Sequence, residues 1–474
     1  MSDLARQKPA WAERLLRERL LRGWSRSDMA REMRRAASRL TLGALDPERI
    51  AEYVKRWEKG HVGAPDARHQ MTIAGALGMS VREVFGTAAY LISDRPGSAN
   101  RSSSSDDDLP YYDSAEDDVI GRRRFLAWLA ALSAGTATLP DSVRQIISIV
   151  KDQNPDTLRR ITAADVANLR ASTEVFQTWG HKVGGGLSRH AIIGQLGWAV
   201  HQLDMGVPAS SELLREWQKA SARLASLAGF ESHDCGHEQQ ARGLMVLGYW
   251  LASEADDRAR QADALAAMAM QAVHIGRPHT GLDLARHGLE LADDATPISR
   301  AILHGLKARA YGRLGDMRAL EREVGLAEQE HARIVPDDYE REPWLSFYNE
   351  AELYGDTGTA WRMLAWHHPD QAGRRGQRAV SEAGSRLSLA ADGHGAEFAR
   401  SRALCHLMAA GVYLRARDPD AAVAVRKGEV LAFDTSGIHS VRVEGFARDF
   451  AKAAQPFKRR SDVQEMLGGL AVVT

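Results

Sequence analysis

Between Arg49 and Lys59 one short stretch carries Arg49, Glu52, Tyr53, Lys55, Arg56 and Lys59, six side chains that form charged or directional hydrogen bonds. Long donors gathered on one exposed helix are what nucleic-acid base edges and phosphates require. An arginine grips guanine O6 and N7 through two parallel bonds, and a lysine neutralises a phosphate. Glu52 has two readings, an acceptor from cytosine N4 or an acid that repels phosphate. Upstream, Ser25 and Arg26 open another helix, where free backbone amides and a cation form a phosphate anchor. The chemistry of this set is recognition rather than bond breaking.

Other reactive residue types are present without forming a catalytic pattern. His233-Asp234-Cys235-Gly236-His237-Glu238 contains metal-ligand types, but no clear fourth ligand stands elsewhere, and a site needs several converging donors. The stretch reads as a polar, hydrated loop between helices. Gly184-Gly185-Gly186 is followed by no Gly-Lys-Ser or Gly-Lys-Thr and preceded by no strand, so it reads as a flexible connection. His367-His368-Pro369 serves a turn. Trp179, Trp198, Trp217, Trp250, Trp344, Trp361 and Trp366 could line a groove, but their helical spacing places them in core. No Ser-His-Asp or Cys-His set can be assembled. The expectation is no enzyme, no cofactor and no metal.

The elements that position the Arg49 to Lys59 side chains are legible from caps and periodicity. Ser25 is a helix N-cap with Asp28 three residues on, and a helix follows from about Arg26 to Arg35. Before it, Trp11, Leu15, Leu16, Leu20 and Leu21 recur at helical spacing and leave Arg14, Arg17, Arg19 and Arg22 on the polar side. After it, Asp46 is an N-cap and Pro47 takes the first helical position, where its missing amide costs nothing. On the helix from Glu48 to Lys59, Ile50, Val54 and Trp57 face a core, and Gly60 ends it. Ile73, Leu77, Met79 and Val84 continue the apolar pattern. Residues 1–86 hold 17 Lys and Arg against 11 Asp and Glu, whereas the whole chain balances at 62 and 62. The basic excess is local to these helices.

In size and order, residues 11 to 86 resemble the Cro and phage-repressor type of helix-turn-helix, the XRE family. The resemblance implies a double-stranded DNA partner, with the Arg49 to Arg56 face in the major groove and Ser25 and Arg26 on phosphate. One departure is the connection from Ala36 to Leu45, longer than the turn of roughly 3 to 4 residues in the usual motif.

A chain of 474 residues is too long for one core. The organisation expected is residues 1–90 as the helix-turn-helix domain, 91–119 as an acidic flexible linker and 120–474 as a helical repeat domain. The linker contains a Ser102 to Ser105 run followed by Asp106, Asp107 and Asp108, too polar to offset chain entropy by burial. Arg122-Arg123-Arg124-Phe125-Leu126 and the apolar run to Leu139 resemble a twin-arginine export signal. The run is about 15 residues, short of the ~20 that span a bilayer. It reads as a packing helix, with no membrane role. Two distant cysteines, Cys235 and Cys405, suit a reducing cytoplasm.

From Gly121 onward no alternating strand pattern appears, so the fold class expected is all-α. Turn signals fall at Gly206, Gly276, Gly315, His367 and Arg417. Seven residues before each stands an alanine: Ala199, Ala269, Ala308, Ala360 and Ala410. Small residues also recur in the helix after the turn, which is how antiparallel helices approach closely. The pattern resembles the tetratricopeptide repeat, a helix pair of about 34 residues that stacks into an α-solenoid with a concave binding face. Together with Asn349 to Leu353 and Arg400 to Leu404, the arrangement resembles a group of actinobacterial XRE regulators. That resemblance implies a cytoplasmic transcriptional regulator, a homodimer, whose repeat domain receives a signal from a peptide or small molecule. The alternative is a repeat-type adaptor whose helix-turn-helix is a docking module for another protein.

Overall fold

Nineteen α-helices and no strand make up the described residues, so the all-α expectation holds. The computed structural model describes residues 9–22, 24–39, 47–59, 65, 67–77, 84–85, 144, 161–205, 210–292, 295–369, 373–426, 437–468 and 470. The expected linker, the Arg122 to Leu139 segment, Asp46, Gly60 and Met79 lie outside them. The chain divides into two units, Met1–Ser103 and Ser104–Thr474.

In the first unit, α1 (Ala10–Leu21), α2 (Arg26–Arg39), α3 (Pro47–Lys59) and α4 (Ala67–Leu77) enclose one core. It contains Trp11, Leu15, Met29, Met33, Ile50, Val54, Trp57, Ile73, Leu77 and Val84. Ser25 starts α2 with a reciprocal cap: its Oγ accepts from the Asp28 amide at 3.1 Å, and the Asp28 carboxylate accepts from the Ser25 amide at 2.8 Å. Two details differ from the sequence expectation. The helix from Arg26 continues four residues beyond Arg35, because Ala36 and Ala37 are good helix formers that bury against the core. The connection to α3 is correspondingly shorter than Ala36 to Leu45. Arg19, expected on the polar side of α1, is buried, while Leu20 is 58% exposed. A carboxylate on α3 draws Arg19 inward.

The second unit is a succession of helix pairs: α5 (Ala163–Val183) with α6 (Gly185–Met205), α7 (Ser211–Asp234) with α8 (Glu238–Glu254), α9 (Arg258–His274) with α10 (Pro278–Leu291) and α11 (Pro297–Leu314) with α12 (Met317–His331). A short α13 (Pro336–Arg341) precedes α14 (Glu350–His367) with α15 (Arg374–Gly393), then α16 (Ala399–Arg415) with α17 (Pro419–Ala424), and finally α18 (Val441–Ala454) and α19 (Ser461–Gly468). The first helix of each pair packs on the first helix of the next, which makes an inner row of α5, α7, α9, α11, α14, α16 and α18.

One local device turns the chain at five helix ends. A residue with left-handed φ follows the helix, at Gly236, Asp256, Gly276, Gly315 and Arg417. The next amide then reaches back five residues: His237 to Ser232, Asp257 to Ala252, Arg277 to Ala272, Asp316 to Tyr311 and Asp418 to Tyr413, each bond at 2.8–3.1 Å. This is the Schellman closure, which satisfies carbonyls that the helix end leaves free. At three of the turns the same next residue is an aspartate whose side chain caps the following helix: Asp257, Asp316 and Asp418.

All five alanines read from the sequence are fully buried. The alignment itself needs one change. Gly206 lies between the outer helix α6 and the inner helix α7, and residues 206–209 are outside the described set. The turn within the α7–α8 pair is Gly236, and seven residues before it stands Gly229. A Cβ on Gly229 would meet the Ala241 carbonyl at 2.8 Å, as one on Gly281 would meet the Ala269 carbonyl at 3.0 Å. Close backbone approach inside the α7–α8 and α9–α10 pairs therefore explains these small residues, whereas Ala360 on α14 is approached from α11, where a Cβ on Gly312 would meet its carbonyl.

The row of pairs closes on itself. Helix α5 packs on α16, the Gly186 amide donates to the His439 carbonyl at 3.1 Å, and the His439 amide donates to the Val183 carbonyl at 2.7 Å. Gly184-Gly185-Gly186 is thus a tight junction rather than a flexible connection. Gly184 takes φ +81, and the Gly185 amide donates to Asp234 at 3.2 Å.

Candidate functional site

On α3 the core positions Ile50, Val54 and Trp57 are buried, and Arg49, Glu52, Arg56 and Lys59 are exposed. The exposed four are spaced at i, i+3, i+7 and i+10, which puts them in one stripe along the helix. Lys55 lies beside the stripe and reaches Glu52 at 3.4 Å. Tyr53 is half-buried, with its ring 5.7 Å from Trp57 and 6.0 Å from His69. The stripe holds three cations and one acid.

Ser25 and Arg26 sit at the start of α2 and are exposed. The Ser25 hydroxyl is already engaged with Asp28, at 2.6 Å. Arg26 donates through Nε to Glu58 at 2.8 Å. Glu58 itself is 2% exposed and takes a second arginine, Arg19, whose Nη2 lies 3.2 Å from Oε2. One carboxylate on α3 therefore binds α1 and α2 at once. The sequence reading missed Glu58; its signal was an acid next to Trp57 on the inward side of an amphipathic helix.

The second unit contains a cavity of about 210 Å³ lined from all seven inner helices. Its apolar wall includes Phe230, Met270, Ile302 and Leu306, and its polar wall is charged. Arg223 pairs with Asp263 at 3.3 Å, and Arg309 pairs with Asp356. Arg400 and Arg442 both reach Asp234, at 3.2 and 3.8 Å. Asp234 is fully buried and also accepts from Ser440 Oγ at 2.8 Å. Burial alone would raise its carboxyl, but the two arginines and these hydrogen bonds hold it below the usual carboxylate range.

Glu231 is different. It is 1% exposed, and neither carboxylate oxygen has a hydrogen-bond donor among the described residues. Burial pushes its carboxyl up to about 8, with Arg400 opposing and Asp234 adding to the shift. Room for it exists because two neighbours are glycine. A Cβ on Gly180 would overlap Oε1, and one on Gly185 would lie 2.8 Å from Oε2. Burial likewise pushes Glu352 up to about 7 and His181 down to about 3, where the imidazole ring packs against Phe347 and Phe398.

The residues suspected of chemistry take other roles. His233 and Asp234 belong to the last turn of α7 and are fully buried, not part of a hydrated loop. His233 Nδ1 lies 2.7 Å from Glu238, and its Nε2 lies 3.1 Å from His274. No group of three or more metal-ligating side chains occurs among the described residues. Burial pushes the Cys405 thiol up, which removes its nucleophilic character. Trp217, Trp344 and Trp361 are buried, Trp179 is half exposed, and no tryptophan lines the cavity. No described helix is long and apolar enough to cross a membrane. No family model matches the chain, and neither a curated protein nor a solved structure matches it.

Proposed function

We propose that the protein is a sequence-specific regulator that binds double-stranded DNA through α3 and receives a signal through its second unit. The observation that carries this reading is the α3 stripe. Arg49, Arg56 and Lys59 project from a helix whose opposite face is fixed in a core and whose Glu58 is tied to two other helices. A rigid helix with long exposed donors suits the major groove, where arginine reads guanine and Glu52 accepts from cytosine. Tyr53 and Lys55 flank the reading stripe. The start of α2, with Ser25 and Arg26, offers amides and a cation to the phosphate backbone. The local excess of positive charge supplies the sequence-independent share of affinity.

Selection from a random duplex library by the full chain tests this reading. Enrichment of one motif, bound with a steep loss of affinity as salt rises, supports it; a library that stays random overturns it. A palindromic motif would mark a two-fold dimer.

A further inference from the structure

The cavity in the second unit has a size, a wall and a charge, and together they specify a ligand. Its volume is about 210 Å³. That falls below the roughly 300–1,000 Å³ of pockets for drug-sized molecules and is too little for an extended peptide. Phe230, Met270, Ile302 and Leu306 give it an apolar side.

Its charges are unequal. Arg223, Arg309, Arg400 and Arg442 line the cavity with Glu231, Asp263, Glu352 and Asp356, and Asp234 lies behind them against two of the arginines. Counted as carboxylates, the five acids outnumber the four arginines by one, and the proton that burial holds on Glu231 makes up that difference. The acid without a donor is Glu231, and buried polar groups are hydrogen-bonded in all but a few cases. A buried carboxylate held between Gly180 and Gly185 with two unpartnered acceptor oxygens is matched by a group that carries several N–H donors and one positive charge.

We propose that this cavity binds a small monocationic ligand, a protonated amine on a compact apolar body, whose ammonium group is received by the Glu231 carboxylate. An anion is disfavoured because Asp234, Asp263, Glu352 and Asp356 already balance the charge of the four arginines, with Asp234 lying against both Arg400 and Arg442. Their Nε atoms, which have no acceptor among the described residues, suit a neutral hydroxyl or ether on the same ligand. Burial holds a proton on Glu231 at neutral pH, and an arriving ammonium would displace it. The proposal deepens the input role of the second unit and rests on that role for its consequence, though not for binding itself.

The test uses the full chain without DNA, by thermal shift and calorimetric titration. The probes are benzylamine, 2-phenylethylamine and cyclohexylmethylamine, each beside its alcohol and carboxylate counterparts. The expected result is saturable one-to-one binding of at least one amine, with its alcohol at least tenfold weaker. Glu231→Gln should weaken that amine at least tenfold, and Ala267→Phe, which fills the cavity without changing a charge, should also abolish binding. If Glu231→Gln loses its helical circular dichroism, Ala267→Phe decides. Amines that bind no better than their alcohols, or amine binding that survives either folded variant, overturn the proposal. DNA binding by the same preparation is a separate readout, so loss of the amine site leaves the α3 reading standing, and the converse holds too.

Discussion

Arg19 and Glu58, 39 residues apart in sequence, form a buried ion pair that joins α1 to the helix carrying Arg49 and Arg56. The Arg19 side chain is 8% exposed and the Glu58 side chain 2%. Removing one partner of such a pair leaves the other charged and desolvated, which costs about 3–5 kcal/mol. Glu58→Ala should therefore lower the urea midpoint of the first unit markedly, whereas Glu58→Gln, which keeps an acceptor for both arginines, should cost less. Equal midpoints for all three proteins would contradict the role assigned to this carboxylate.

The five Schellman turns make a prediction of opposite sign. Asp256 and Arg417 hold φ of +53 and +67 where the equivalent residues are glycine. A side chain in that region costs roughly 1–2 kcal/mol, which glycine avoids. Asp256→Gly and Arg417→Gly should each raise stability by about 1 kcal/mol, and Gly276→Ala should lower it. Calorimetric melting of the three variants checks this, and a loss of stability in both glycine variants would contradict it.

These turns also show what the sequence reveals and why it stops. Gly276 and Gly315 were legible because glycine announces a left-handed residue. Asp256 hides the same backbone behind an ordinary side chain, so the break between α8 and α9 was missed, although the following Asp257 caps a helix and was a usable signal. Ser25 and Pro47 were legible because capping is local chemistry. Glu58, Glu231 and Arg400 were not, since their meaning lies in partners tens to hundreds of residues away. Arg400 meets Asp234 only after the row of pairs has closed. The stripe on α3 was readable from periodicity. The cavity was not, because seven helices contribute to it a few residues at a time.

Glu231 should leave a mark on stability as a function of pH. Its carboxyl titrates near 8 in the fold against an ordinary 4.5, so the folded state holds a proton that the unfolded chain has lost. The sign follows: its contribution is neutral below about 4.5, and stability falls as pH rises to about 8, by roughly 4–5 kcal/mol in all. Around it stand His181 on α5, Arg223 and Asp234 on α7, Arg400 on α16 and Arg442 on α18. Glu231→Gln removes this slope and leaves theirs. The melting temperature of the variant should therefore gain on the parent between pH 5 and pH 8. A difference that stays constant over that range would contradict it.

The most direct test of the DNA-reading role of α3 is fluorescence anisotropy of the full chain with a library-selected duplex and a scrambled control. Each is titrated with the parent protein and with the Arg49→Ala, Arg56→Ala double variant. Each lost arginine contact to a base edge is worth about 1–3 kcal/mol. The predicted result is a parent that prefers the selected duplex and a variant that binds both duplexes equally weakly, with unchanged helical content. A variant that still prefers the selected duplex with the affinity of the parent would contradict the assignment of α3 as the reading helix.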